Sequence, residues 1–142
     1  MITTFEEIRD YLINPKRKRV SGEVYVVFSS LTGLTKIGRS KNFKKRIKAL
    51  QTATPGELQL VHWFPADDMD GAETYYHFLF HDKWVSGEWF RLSFESDDYW
   101  SIRERGPWNT DEEIEGIEEL IEWGKIKSQK KNLIEEWINE NM

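Results

Sequence analysis

The chain has no cysteine, so disulfide staples, thiolate metal sites and thiol nucleophiles are excluded. It has no apolar run near the ~20 residues that a membrane-crossing helix needs. Its first residues lack the charged-then-apolar order of a secretory signal, because Glu6, Glu7, Arg9 and Asp10 interrupt it. Three histidines are present, and no second His completes a zincin arrangement. No internal repeat or low-complexity tract occurs. These absences leave a soluble, cytoplasmic protein as the expectation. What is present suffices for a core: 39% of the 142 residues are hydrophobic and 14% aromatic, with seven Trp. That length fits one domain most simply.

Net charge is −5, but it is unevenly spread. Residues 16–48 hold eleven Lys/Arg against Glu23 alone, whereas residues 94–142 hold fourteen acids against six bases. The basic segment suits a phosphate backbone and the acidic one does not. The acidic average is therefore compatible with nucleic acid as a partner.

Along the chain, Phe5, Ile8, Tyr11 and Leu12 recur at helical spacing after Thr3 or Thr4 as N-cap, and Pro15 closes that helix. A hairpin is expected near 23–29 and 34–38. A helix then runs from about Asn42 to Thr52, with Phe43, Ile47 and Leu50 on its apolar face. "ELQLVHWFPA" reads as a third strand and "DGAETYYHFLFHDKW" as a helix with Asp70 as a possible N-cap. "GEWFRLS" reads as a short returning strand, followed by a short helix near 96–105. The remainder reads as one long amphipathic helix or a pair broken at Gly124. Its stripes are Ile114, Ile117, Leu120 and Ile121, then Leu133, Trp137 and Ile138.

Five pieces of residues 22–92 stand in an order that resembles the GIY-YIG nuclease superfamily, in its compact phage-associated branch. Tyr25 in "VYVV" falls on the first signature tyrosine, and Lys36-Ile37-Gly38 on the second signature. Arg46 in "GRSKNFKKR" falls on the helix arginine, Glu73 in "AETYYHFLF" on the metal-binding glutamate, and "GEWF" on a typical ending of this branch. The resemblance implies an α+β fold, a small antiparallel sheet of three to four strands flanked by helices. In that division residues 1–21 are a helix and basic connector, 22–93 the nuclease-like domain and 94–142 an acidic helical extension. It further implies hydrolysis of DNA phosphodiester bonds with Mg²⁺ or Mn²⁺ held by Glu73. Two positions depart from the pattern: Lys36 stands where a second tyrosine is usual, and Glu88 where an amide is usual.

Such chemistry needs a deprotonated nucleophile, charge to neutralise the phosphate and help for the leaving oxygen. A single carboxylate can hold Mg²⁺ with waters completing its shell, a phenol can relay a proton, and an arginine can brace a phosphate. Tyr25, Arg46 and Glu73 supply those groups, Lys36 adds a cation, and His77, one helical turn beyond Glu73, is a candidate for proton transfer or phosphate binding. Arg39, Lys41, Lys44, Lys45 and Lys48 are the expected steering groups for a nucleic-acid backbone. Each residue also has a plainer reading. Tyr25 suits the core of a strand, Lys36 an exposed hairpin, Arg46 a solvated helix face, and Glu73 a capping box with Asp70. His62 and His81 read as structural, and Trp63, Trp84 and Trp89 as packing around the sheet.

Two functions follow. One is a metal-dependent endonuclease; the other is a non-catalytic module on the same scaffold that binds nucleic acid or protein. The acidic C-terminal helices are expected to shield the basic face, with a homodimer or partner contact through their stripes as the lesser expectation.

Overall fold

Thr4 opens the first helix, α1 (Phe5–Ile13), by accepting the Glu7 N–H at 3.1 Å. In the computed structural model, which describes residues 1–141, four further helices and five strands follow. They are β1 (Gly22–Ser29), β2 (Thr35–Ser40), α2 (Phe43–Ala53), β3 (Leu58–Ala66), α3 (Met69–Leu79), β4 (Trp84–Ser86), β5 (Trp89–Phe90), α4 (Asp97–Arg103) and α5 (Thr110–Asn141). No helix among the described residues is long and apolar enough to cross a membrane.

The strands form one antiparallel sheet in the order β3-β1-β2-β5-β4. The fold is α+β as expected, with β4 as an additional edge strand. β1 and β2 are joined by a turn in which Gly33 takes φ +72°, a conformation that costs glycine little. The register sets Tyr25 opposite Gly38 and Val27 opposite Lys36. Because side chains alternate, Tyr25 and Val27 share one face with Lys36 and Gly38. Phe43, Ile47 and Leu50 of α2 cover Tyr25 and Val27 there. On the other face Val24, Val26, Ile37, Phe64 and Phe90 meet α3, α1 and the first half of α5 in the main core.

Three features differ from expectation, and one open alternative, the continuity of α5, is decided. Asp68, not Asp70, caps α3: its Oδ1 accepts the Gly71 N–H at 3.0 Å, while Oδ2 takes Arg17 Nη2 at 2.6 Å. A buried, arginine-held carboxylate makes the better cap, so the Asp70–Glu73 capping box does not form. α3 stops at Leu79, where Phe80 is fully buried and anchors the chain before a 3-10 turn at His81–Lys83 and then β4. α5 passes through Gly124 as one helix, since a single exposed glycine costs only about 1 kcal/mol. Finally, α5 docks through Ile117 and Ile121 on the α1 side of the sheet, opposite α2. The acidic helix therefore leaves Lys44, Lys45 and Lys48 exposed instead of shielding them.

The start of α5 is pinned to the end of β3. Asp67 accepts the Thr110 hydroxyl at 2.7 Å, and Trp108 N–H donates to the Pro65 carbonyl at 2.9 Å. Trp108 is buried in the main core.

Candidate active site

The site forms where the sheet stops. β5 pairs with β2 only at Thr35 and Lys36, and Ile37 N–H adds one bond to the Glu88 carbonyl. From Gly38 to Ser40 the outer edge of β2 has no strand beside it among the described residues. Residues from both layers converge on this edge.

From the α2 layer comes Tyr25, whose ring lies flat across Gly38. A methyl group at residue 38 would sit 2.4 Å from the Tyr25 hydroxyl oxygen and 2.5 Å from its Cζ, so only glycine leaves room for the ring. Tyr25 is 1% exposed. Burial raises its pKa, Arg46 opposes this through a hydrogen bond and its charge, and the charges of Glu88 and Glu73 add to the rise. Tyr25 thus keeps its proton at neutral pH. Arg46 reaches it from exposed α2, held by the packing of Phe43 and Ile47 on either side.

From the α3 layer comes Glu73, 7% exposed. Its Oε1 accepts from Arg39 Nη1 at 3.0 Å. Its Oε2 is buried with no hydrogen-bond partner among the described residues. Burial and then the Glu88 charge raise its pKa from 4.5 to about 7, against the favourable charge and hydrogen bond of Arg39. A buried polar atom left unpaired calls for an explanation. One turn on, His77 Nε2 donates to the Ile37 carbonyl oxygen at 2.8 Å, so α3 is tied to β2 just where β5 has ended. Burial lowers the His77 pKa. Its ring packs against Phe90, with centroids 5.0 Å apart.

Lys36 is 8% exposed, and its Nζ lies 2.8 Å from Glu88 Oε2 and 5.6 Å from the Trp89 ring centroid. The two residues that depart from the GIY-YIG pattern are therefore each other's partners. The Lys36 amine is held by the Glu88 carboxylate. Sequence alone shows two separate exceptions 52 positions apart; the structure makes them one pair.

Of the expected steering cations, Lys41, Lys44, Lys45 and Lys48 are exposed on or just before α2. Arg39 is instead engaged by carboxylates, with Nε against Asp70 and Nη1 on Glu73. Asp70 was legible only as a cap, and its role beside Arg39 depends on α3 crossing β2. Arg17 of the basic connector is likewise used internally, on Asp68 and on the Tyr11 carbonyl at 2.8 Å. His62 and His81 meet the Arg105 and Phe78 carbonyls, as structural histidines do. Trp63 stacks on Phe43 at 4.7 Å, Trp84 donates to the Gly87 carbonyl, and Trp89 sits beside Lys36.

Among the described residues no group of three or more His, Asp or Glu is arranged to enclose an ion. The donor set suited to a divalent cation is one carboxylate, Glu73, with its unpaired Oε2 and with Asp70 and Glu88 adding negative charge around it. That fits a hard cation that keeps most of its waters.

No curated protein and no solved structure matches the chain. The T5orf172 domain matches residues 22–105, from the first residue of β1 to just past α4, and so takes in Tyr25, Lys36, Arg46, Glu73 and Glu88. The match spans more than half of the chain and every group gathered at the open edge of β2: the protein belongs to the T5orf172 domain family, a phage-associated domain of nuclease type.

Proposed function

We propose that the chain is a divalent-metal-dependent DNA endonuclease with a GIY-YIG-type site. The observation that carries this reading is Glu73 Oε2, buried and unpaired on a carboxyl whose pKa is raised to about 7. A structural glutamate is normally satisfied or exposed. A glutamate with one oxygen on Arg39 and the other neither paired nor exposed is suited to holding an ion.

Glu73 would hold Mg²⁺ or Mn²⁺, which when bound supplies charge to the scissile phosphate and acidifies a coordinated water. The chain's own residues do the rest. Tyr25 holds its proton in a buried site, and in this reading its hydroxyl would exchange a proton with the attacking water. Arg46, at that hydroxyl, offers paired N–H groups to phosphate oxygens. Lys36 keeps Glu88 from acting as a free negative charge toward the phosphate. Arg39 is 40% exposed at the rim and can exchange its carboxylates for an arriving phosphate. His77 is a positioning residue, since its Nε2 is committed to the Ile37 carbonyl. Lys41, Lys44, Lys45 and Lys48 steer the duplex through its phosphates, without reading bases.

The test is relaxation and linearisation of supercoiled plasmid with Mg²⁺, Mn²⁺ or EDTA, comparing the native chain with Glu73→Gln and Tyr25→Phe. Ion-dependent cleavage by the native chain alone is expected. A second reading, a DNA-binding module without hydrolysis, is favoured by one feature: Lys36 and Arg39 are already neutralised by carboxylates. It predicts plasmid binding by all three proteins and no cleavage with either ion.

A further inference from the structure

We propose that the projecting half of α5 pairs antiparallel with the same segment of a second copy, making the protein a homodimer. This does not depend on the nuclease reading.

α5 has two apolar faces on one helix. Ile114, Ile117 and Ile121 point toward α1 and the core. Trp123, Ile126, Leu133, Ile134 and Trp137 form a second stripe, and at 100° per residue its centre lies roughly 180° around the helix from the first. A continuous helix cannot turn both faces to the same domain. Nor does the second stripe extend backward, because Glu115 and Glu119 occupy that face in the docked half. Leu133, Ile134 and Trp137 are 64%, 60% and 61% exposed. An unsupported helical half of this length is marginal in water, and an apolar stripe along it marks an interaction surface.

The charges identify the occupant. The projecting half carries a basic block, Lys125, Lys127, Lys130 and Lys131, followed by an acidic block, Glu135, Glu136 and Glu140. Parallel self-pairing would set each block against its own kind and put Lys130 beside Lys130. Antiparallel pairing lays the basic block of one copy along the acidic block of the other. The spacing agrees: Trp123, Ile126, Lys130, Leu133 and Trp137 follow the alternating three- and four-residue steps of a two-helix seam. With Lys130 opposite Leu133 of the second copy, Ile126 falls opposite Trp137. The apolar surface offered is roughly 600 Å² per helix, close to the ~800 Å² per partner of a stable interface once the stems of Lys127 and Lys130 are added. The two domains would then stand at opposite ends of a bridge about 30 Å long.

Sedimentation equilibrium over a micromolar concentration series tests the dimer. The native chain should double its mass, and Leu133→Glu with Trp137→Glu should weaken association by about 100-fold or more. Both residues are exposed, so hydrogen-exchange protection of the sheet amides should be unchanged. A native chain that stays monomeric, or a double variant that still dimerises, would overturn the proposal. The lack of cysteine allows orientation to be read separately with Ile126→Cys and Trp137→Cys variants. Oxidation should cross-link them only when the two are mixed. Cross-linking of Ile126→Cys with itself would reject the antiparallel arrangement.

Discussion

Replacing Glu73 by glutamine should make the metal-free protein more stable at pH 8 while removing its response to divalent ions. The reasoning starts from the raised pKa, 4.5 to about 7, caused first by burial and then by Glu88. At 1.36 kcal/mol per unit, a shift of that size is a cost of about 3 kcal/mol for keeping Glu73 ionised in the folded state. The sign follows from proton counting. Below pH 4.5 the carboxyl is protonated in both states and the cost is absent. Between 4.5 and about 7 the unfolded chain ionises first, so stability falls as pH rises. Above about 7 the full cost is present. Glutamine keeps an oxygen for Arg39 Nη1 but carries no charge, and Arg39 retains Asp70.

The net gain expected for Glu73→Gln at pH 8 is about 1 to 3 kcal/mol, since Arg39 loses part of its electrostatic partner. That corresponds to roughly 3 to 10 °C in Tm for a chain of this size. The gain should shrink toward zero near pH 4.5. Added Mg²⁺ or Mn²⁺ should then narrow the gap at pH 8, because an ion at 100 times its Kd stabilises the native chain by about 2.7 kcal/mol and leaves the variant unaffected. Thermal melts from pH 4.5 to 8.5, with EDTA and with each ion, supply the data. A variant no more stable than the native chain at pH 8, or a difference independent of pH, would refute the argument.

Gly38→Ala should cost about 1 to 3 kcal/mol in urea denaturation and most of the cleavage activity, because the added methyl meets the buried Tyr25 ring. Glu88→Gln should lower the pH midpoint of divalent-ion binding, since the Glu88 charge helps raise the Glu73 pKa; it should also destabilise the chain by leaving Lys36 buried without its partner. Lys44→Gln, Lys45→Gln and Lys48→Gln combined should weaken DNA binding and reduce its log–log salt slope by about 2 to 3, read by fluorescence anisotropy at several salt concentrations. Truncation before Asp111 removes Ile117 and Ile121 from the main core, so it should lower stability by several kcal/mol in urea, with the salt slope of DNA binding unchanged.

The elements with local signals were legible. Thr4 caps α1, the continuous β-branched and aromatic run "VYVVF" gives β1, and the Phe43-Ile47-Leu50 spacing gives α2. The unreadable parts depend on residues far apart in the chain. Nothing local separates Asp68 from Asp70 as the cap of α3; Arg17, 51 positions earlier, makes the choice. The end of α3 carries no Gly or Pro, and the burial of Phe80 sets it. The first stripe of α5 was visible and, of the second, Leu133 and Trp137, but their opposite orientation matters only once the first is docked on α1. At the site, Tyr25, Arg46 and Glu73 were named from motif order. The pairings Arg39 with Glu73 and Lys36 with Glu88 required the sheet to exist first.

The length of β5 is what makes the site possible. Tyr25 belongs to the layer covered by α2 and Glu73 to the layer covered by α3, and a complete sheet would separate the two. β5 contributes two residues and its last bond to β2 is at Ile37, so the sheet has a notch beside Gly38. Gly38 lets the Tyr25 ring lie across the strand toward that notch, and the bond from His77 to the Ile37 carbonyl holds α3 against it from the other side. The charge of Glu73 then acts directly on the Tyr25 hydroxyl. A β5 two residues longer would pair with Ile37 and Gly38 and displace His77 from the Ile37 carbonyl. It would also move Arg39 off Glu73. The open edge, ordinarily a hazard for a β-sheet, is here occupied by charged side chains, Arg39 with Asp70 and Glu73, that deter another strand.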